Sequence, residues 1–307
     1  TPHNIKLNFQ AVHYYLNAGK CIRKIFDGFK PDLVIGTGGY VTGTVLKTAL
    51  KCKIKIALHE SNSLPGVSTK MLASKADLVM LGTEDAKKHL GECKRCVVTG
   101  NPLRNNIPIE EKSAARKRLG LPDCLTILSA GGSQGASRIN EAVVHLLAYE
   151  QKKGNINHIH GYGKHGKDTF MQSLTENGVD PNNEHFIIKE YIDNMYTCMC
   201  ASDLIITRAG AMTLTELMAI GRASILIPYP YAAENHQYYN ALTLQNANAG
   251  RIIDDKELTG AVLIDTVTKL ADDPELLKLM SENAAKLSKH DAAGVILREI
   301  TDLMGLQ

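Results

Sequence analysis

The chain has 307 residues, which at roughly 100–200 residues per domain predicts about two domains. Hydrophobic residues make up 44% and charged residues 22%, a balance that suits a globular protein with sizeable cores. Net charge is +3 with lysine and arginine scattered, so the concentrated basic footprint of a nucleic-acid binder is missing, while an anionic membrane surface stays open as a partner.

The chain opens at Thr1-Pro-His-Asn without a methionine and passes quickly into a helical pattern. In that pattern Phe9, Val12, Tyr15 and Leu16 are followed by Lys20, Arg23 and Lys24. The mixture fits a helix packed on a sheet and equally an interfacial helix facing anionic lipid. Short runs of Val, Ile and Leu come next, at Asp32–Gly36, Ile54–His59, Asp77–Leu81 and Cys96–Thr99. A second set lies at Leu125–Ser129, Ile156–His160, His185–Lys189, Asp203–Thr207 and Ala223–Pro228. Near-continuous apolar strands alternating with helices predict an α/β protein with parallel sheets covered on both faces.

Between the two sets, residues 100–111 carry two prolines and no helical spacing, which predicts an interdomain linker. A helix should run from Lys112 to Gly120-Leu-Pro122, and another should open at Asp273-Pro274-Glu275. The last segment, Ala292–Met304, has the spacing of a helix that runs back across the junction. The seven cysteines include Cys93-Lys-Arg-Cys96 and Cys198-Met-Cys200. With no second soft-ligand pair and no thioredoxin-like context, they read as reduced thiols of a cytosolic protein. No apolar run reaches the roughly 18 residues of a membrane span, and no secretory leader pattern precedes the first helix.

In doubly wound folds ligands sit beyond the carboxyl ends of strands, so the loops after strands carry the functional candidates. The first is Gly36-Thr-Gly-Gly-Tyr-Val-Thr-Gly43; it reads as a tight turn or as a backbone cradle for an anion. The second, Gly131-Gly-Ser-Gln-Gly-Ala136, precedes an amphipathic helix and fits neither a P-loop nor GxGxxG. Helix N-terminal N–H groups and the Ser133 hydroxyl there suit a phosphate. In the third, Arg208–Glu216, Thr213 and Glu216 match a capping box, which the pattern alone favours; the alternative is a carboxylate at Glu216 that binds vicinal sugar hydroxyls. Two polar segments, His59–Gly66 and Pro228–Ala241, suit a neutral, hydroxyl-rich ligand. No Asp-x-Asp occurs, so no metal–diphosphate device is expected, and neither a metal nor a cofactor is assigned.

Six ordered motifs, GTGGYVTGT, HESNSLPG, TGNPLR, GGSQGA, RAGAMTLTE and ENHQYYNA, resemble the MurG family of bacterial glycosyltransferases over essentially the whole chain. Members move N-acetylglucosamine from UDP-GlcNAc onto undecaprenyl-diphosphate-linked N-acetylmuramoyl-pentapeptide (lipid I) at the cytoplasmic face of the plasma membrane. The resemblance implies a GT-B fold, two Rossmann-like doubly wound domains facing a cleft. It divides the chain into an acceptor and membrane-side domain (1–103), a donor domain (104–288) and a returning helix (289–307). It implies donor contacts from Asn62, Arg104, Ser133, Ile192 (bordering uracil), Ala211, Met212, Thr213, Leu214, Thr215, Glu216 (ribose) and Gln237 (GlcNAc hydroxyls). Gly36, Gly38, Gly39 and Tyr40 would face the acceptor diphosphate, and the inner-leaflet anionic surface would be a partner.

The family's opening Gly-Gly-Thr-Gly-Gly-His loop has no match, so an incomplete N-terminal domain is expected and His59 stands as the candidate catalytic residue. The implied reaction is in-line attack of the muramoyl 4-hydroxyl on the anomeric carbon, with inversion and loss of UDP. Competing readings are another GT-B glycolipid transferase, a nucleotide-sugar epimerase and a non-catalytic UDP-sugar-binding module.

Overall fold

The computed structural model describes residues 5–104, 107 and 109–306; the side chains of residues 5–16 and of Asp168 fall outside that description, as do those of Phe9, Val12, Tyr15 and Leu16 among them. Thr1–Pro102 together with Asp291–Gln307 form one compact unit, and Leu103–His290 form a second. Asn105, Asn106 and Pro108 of the expected linker also lie outside the described residues.

The first unit runs α1 (Ile5–Phe29), β1 (Leu33–Gly36), α2 (Gly39–Lys51), β2 (Lys55–Glu60), α3 (Val67–Leu72), β3 (Leu78–Leu81) and β4 (Cys96–Val98). The four strands lie side by side in that order, all parallel, with Leu58 opposite Val79 and Val79 opposite Cys96. Because side chains alternate along a strand, the apolar runs load both faces of the sheet. Ile56, Leu58, Val79 and Leu81 pack with Phe26, Leu46, Ala49 and Leu72 on one face. On the other, Ala57, Leu78 and Met80 meet Ile296, Ile300 and Leu303 of the chain's last helix, Ala292–Met304. Those three recur at helical spacing, so one stripe of the helix is spent on the sheet. Arg95 pairs with Glu299 at 2.6 Å, and Lys55 Nζ donates to the Leu303 carbonyl at 2.8 Å, near the negative end of that helix.

The second unit begins with α4 (Lys112–Leu119), stopped by left-handed Gly120, and continues β5 (Leu125–Ala130), α5 (Ser137–Lys153), β6 (Ile156–Gly161), α6 (Lys167–Glu176), β7 (Phe186–Lys189), α7 (Met195–Ala201) and β8 (Leu204–Thr207). Then come α8 (Ala211–Ile220), β9 (Ala223–Leu226), α9 (His236–Asn246), β10 (Gly250–Ile252), α10 (Gly260–Ala271) and α11 (Pro274–Leu287). The Asp273 carboxylate caps α11 by accepting from the Leu276 N–H at 2.9 Å, with Pro274 in its first turn, as the Asp-Pro-Glu start predicts.

All strand pairs are parallel and the order is β7-β6-β5-β8-β9-β10. Chain order therefore runs outward in both directions from the β5–β8 pair, which makes that pair the topological switch point. Ile127, Ile206 and Ile225 point to one buried face and Leu128, Ile205 and Leu226 to the other, so helices cover both sides. β10, three residues with a central arginine, carries too little apolar signal to be expected from sequence.

Candidate active site

Ala130 at the end of β5 lies opposite Thr207 at the end of β8, so the two following loops leave the sheet side by side at the switch point. The Gly131–Ala136 loop folds on backbone geometry that only glycine allows. A Cβ on Gly135, at φ +86°, would sit 2.4 Å from the Tyr162 carbonyl oxygen, and one on Gly163 would sit 2.1 Å from the Gly135 nitrogen. The two segments are instead laced together by Lys164 N–H to the Ser133 carbonyl and His165 N–H to the Gln134 carbonyl. Ser133 is exposed, and α5 starts at Ser137 with no side-chain cap. The first N–H that the helix uses internally is that of Asn140, which donates to Ala136, leaving the N–H groups of 137–139 at the helix mouth.

α8 repeats the device. Its N-cap is Gly210, again with no side-chain cap, and Leu214 N–H donates to the Gly210 carbonyl. The capping-box reading of Thr213 and Glu216 is thereby corrected: the helix begins two residues before Thr213, so Glu216 sits inside it. Glu216 Oε1 instead accepts from the Tyr196 hydroxyl at 2.8 Å. Burial, and then the Glu216 carboxylate, push the Tyr196 phenol up, while the Arg104 guanidinium acts on it in the opposite sense. Arg104, Tyr196 and Glu216 thus form one neighbourhood. Among the six candidates Ala211–Glu216, the side chains of Leu214 and Thr215 are buried, and Thr215 Oγ1 donates to the Ala211 carbonyl. The N–H groups of 211–213 and the side chains of Met212, Thr213 and Glu216 stay accessible at this turn.

Below the turn, Arg208 Nη1 bonds Asp255 Oδ1 at 2.6 Å and the carbonyls of Ile227 and Pro228, with its guanidinium carbon 5.6 Å from the Tyr229 ring centre. Nothing local to Arg208 signals this pairing, because Asp255 lies 47 residues downstream. The Tyr229 N–H donates to Gln237 Oε1 at 3.0 Å, which turns the Gln237 amide nitrogen outward as a donor. Glu234 and Asn235 carry φ of +49° and +55°, a strained pair just before α9. Ile192 is 5% exposed and packs over Gly161, so its side chain belongs to the core and only its edge and main chain border the loops.

In the first unit Glu60, at the end of β2, is buried and accepts four hydrogen bonds. Asn62 N–H and Nδ2 reach Oε1 at 3.0 and 3.1 Å; Gly66 N–H and Thr69 Oγ1 reach Oε2 at 3.0 and 2.7 Å. This carboxylate sets Asn62 and the start of α3. His59 is also buried, its Nε2 lies 3.1 Å from the Gly100 carbonyl, and burial lowers its pKa. A ring nitrogen facing a carbonyl must carry the hydrogen, so His59 is a neutral strut between β2 and the turn at Gly100. The Gly36–Gly43 loop enters α2 through Gly38 and Gly39, both at positive φ, with open space where each Cβ would be. Tyr40 and Val41 stand 99% and 73% exposed in the first turn of α2, and Ser68 Oγ donates to the Gly39 carbonyl from α3.

Among the described residues no group of three or more His, Cys, Asp or Glu could hold a metal ion, and none of the seven cysteines is in a disulfide. No described helix is long and apolar enough to cross a membrane.

A doubly wound sheet whose switch point holds two uncapped helix N-termini beside a carboxylate defines a nucleotide-binding protein of the paired Rossmann-like class. The chain matches the glycosyltransferase family 28 C-terminal domain over residues 126–296 and the N-terminal domain of the same family over residues 3–81. It is 38% identical over 308 residues to the UDP-N-acetylglucosamine–N-acetylmuramyl-(pentapeptide) pyrophosphoryl-undecaprenol N-acetylglucosamine transferase of Desulforamulus reducens, covering 99% of this chain and 81% of that one. The enzyme of the same name from Desulfitobacterium hafniense is 40% identical, covering 91% and 76%. Among solved structures, Acinetobacter baumannii MurG superposes with a TM-score of 0.77 at 26% identity, over 94% of this chain and 80% of that one. A UDP-GlcNAc 2-epimerase from Neisseria meningitidis shares the fold alone, at 15% identity and a TM-score of 0.66 over 94% and 81%. The chain belongs to glycosyltransferase family 28, with the two-domain GT-B fold of that family.

Proposed function

We propose that this glycosyltransferase moves N-acetylglucosamine from UDP-GlcNAc to the muramoyl 4-hydroxyl of undecaprenyl-diphosphate-linked N-acetylmuramoyl-pentapeptide, with inversion at the anomeric carbon. The observation that carries the reading is the switch point between β5 and β8, from which the open N-termini of α5 and α8 arise, with Glu216 in the second turn of α8. The N–H groups of 137–139 with Ser133 suit the donor diphosphate, and those of 211–213 suit the rest of the nucleotide. Glu216 accepts from the ribose hydroxyls, and Arg104 neutralises phosphate charge beside Tyr196. Gln237 offers its amide N–H to the sugar, and Ile192 borders the uracil by its edge and main chain. These preset donors stabilise the diphosphate as UDP departs, which is where negative charge grows during transfer.

In the first unit, Glu60 presents Asn62, and the backbone of Gly36, Gly38 and Gly39 with Tyr40 receives the acceptor diphosphate. His59 acts as a positioning residue rather than as the general base, because its ring is buried and held between β2 and the Gly100 carbonyl, away from any hydroxyl of a bound acceptor. Peripheral docking on the cytoplasmic membrane face is supported by exposed Ile25 and Phe29 on α1, beside exposed Lys20, Arg23 and Lys24. UDP release measured with and without a short-chain lipid I analogue tests the reading. Release that requires the acceptor is expected; UDP-GlcNAc that binds but is never consumed would leave a non-catalytic binding module.

A further inference from the structure

Directly beneath the Gly131–Ala136 loop runs a chain of four polar side chains that the transfer reaction does not use. Ser129 on β5, His158 and His160 on β6, and Glu150 on α5 are each 1% exposed or less. Glu150 Oε2 lies 2.7 Å from His158 Nδ1, His158 Nε2 lies 2.7 Å from Ser129 Oγ, and Ser129 Oγ lies 2.7 Å from His160 Nδ1. The chain ends on two buried atoms, Glu150 Oε1 and His160 Nε2, with no hydrogen-bond partner among the described residues. Glu–His–Ser is the order of a hydrolase triad, but no substrate reaches a fully buried serine, so nucleophilic chemistry is excluded.

Three contacts require three hydrogens, and with both imidazoles neutral and the Ser129 hydroxyl donating, two polarities supply them. In one, an ionised Glu150 accepts from His158 Nδ1, the Ser129 hydroxyl donates to His158 Nε2, and His160 Nδ1–H donates to Ser129. In the other, a protonated Glu150 donates to His158 Nδ1, His158 Nε2–H donates to Ser129, and the Ser129 hydroxyl donates to His160 Nδ1. The first strands an ionised carboxylate in the core on a single hydrogen bond; the second buries only neutral groups and leaves the Glu150 Oε1 and the His160 Nε2–H unpaired. An uncompensated buried charge costs more than one orphaned N–H. Burial also drives Glu150 and His160 towards their neutral forms, raising the carboxyl and lowering the imidazole well below its ordinary range.

The chain is wired to both ends of the loop. Ser129 stands two residues before Gly131, and its strand neighbour is His160. The His160 ring lies 4.6 Å from that of Phe170, which lies 5.4 Å from that of Tyr162. The Tyr162 carbonyl accepts from Asn140 Nδ2, in the first turn of α5, at 2.9 Å, and the same oxygen occupies the space that a side chain at Gly135 would need. Glu150 holds the far half of α5. We propose that Glu150→His158→Ser129→His160 is a neutral, one-way hydrogen-bonded bolt that positions the Gly131–Ala136 loop and the mouth of α5 for the donor diphosphate. Ser129 and His160 are its positioning residues. This rests on the donor-site reading of that loop.

Long-range proton–nitrogen correlation spectra of histidine-labelled full-length protein read the tautomers. Neutral imidazoles with hydrogen on Nε2 are expected for both His158 and His160; hydrogen on Nδ1 alone, or an imidazolium, at either position overturns the polarity. Titration calorimetry with UDP reads the positioning. Ser129→Ala should weaken UDP about 10-fold, the scale of one buried hydrogen-bonding group left unpaired. Ser129→Thr, which restores the hydroxyl, should recover most of that loss. In turnover the donor KM should rise with kcat within about twofold, as for lost uniform binding. Glu150→Gln still donates to His158 and should weaken UDP less than Glu150→Leu. A folded Ser129→Ala with wild-type affinity, or the reverse order for the Glu150 pair, overturns the bolt. Wild-type protein that does not bind UDP refutes the donor-site reading instead.

Discussion

Replacing Glu60 by glutamine keeps the side chain's shape and changes one oxygen into an NH2 group. Every partner of Glu60 is a donor: two backbone N–H groups, the Asn62 amide and the Thr69 hydroxyl. With the new NH2 at the Oε1 position it faces the Asn62 N–H; at the Oε2 position it faces the Gly66 N–H. The Asn62 amide and the Thr69 hydroxyl can turn to accept, but a backbone N–H cannot. One buried N–H is therefore orphaned in either orientation, at about 1–3 kcal/mol, and the remaining bonds lose their charge assistance. The total is about 2–4 kcal/mol, which at roughly 2–4 °C per kcal/mol lowers the melting temperature by roughly 5–15 °C. Asn62 is released with it, so the donor KM should rise about 10-fold as one positioned polar contact is lost. Differential scanning calorimetry and initial rates at varied UDP-GlcNAc read both effects. A Glu60→Gln protein with unchanged melting temperature and unchanged KM would refute the argument that this carboxylate organises the segment.

Glu216→Gln should raise the donor KM about 10–100-fold through loss of a charge-assisted contact, whereas Tyr196→Phe, which removes only the phenol on the same carboxylate, should change it far less. Gly135→Ala should abolish UDP binding, since its Cβ meets the Tyr162 carbonyl at 2.4 Å; Gly132→Ala, with φ +93° but open space, should cost only the strain of about 1 kcal/mol, and calorimetry separates the two. His59 and His160 have pKa values below 6.5 in the folded chain, so the unfolded state binds more protons and the stability they add above that pH is lost as pH falls through it. Glu150 acts oppositely: its raised pKa adds most stability below 4.5, and that contribution declines as pH rises towards the folded value. Between about pH 7.5 and 5.5 the melting temperature should therefore fall on acidification, and more steeply in Glu150→Gln, which lacks the opposing carboxyl. Ile25→Ser with Phe29→Ser should reduce co-sedimentation with anionic vesicles while leaving UDP affinity unchanged.

Nine of the ten strands among the described residues were legible because each falls in a near-continuous run of apolar residues. Gly250-Arg-Ile252 was not, because a glycine and a central arginine leave it no apolar run, and its place is set by pairing with β9. The glycine loops were legible by place, since each follows a strand and precedes a helical pattern. The capping box misled because Thr213 and Glu216 have the right spacing in the wrong place: local pattern does not tell where helix α8 begins, and Gly210 starts it earlier. Glu60 was hidden because its donors come from positions 62, 66 and 69, a loop wrapped round a carboxylate rather than a periodic pattern. The Ser129 chain was hidden for a different reason. Its members meet only through the β5–β6 register and the packing of α5, which no local window contains. His59 attracted attention as a histidine in a polar motif, but the partner that occupies it, Gly100, is 41 residues away.

The central claim is transfer of one sugar, and product analysis tests it most directly. The protein is incubated with UDP-GlcNAc and a short-chain lipid-linked muramoyl-pentapeptide, and both substrates are followed by mass spectrometry and proton NMR. The expected product is an acceptor heavier by one N-acetylhexosamine, joined by a β linkage to the 4-hydroxyl, with UDP formed in equal amount. An unchanged acceptor, with UDP-GlcNAc left intact or converted to its 2-epimer, would contradict it.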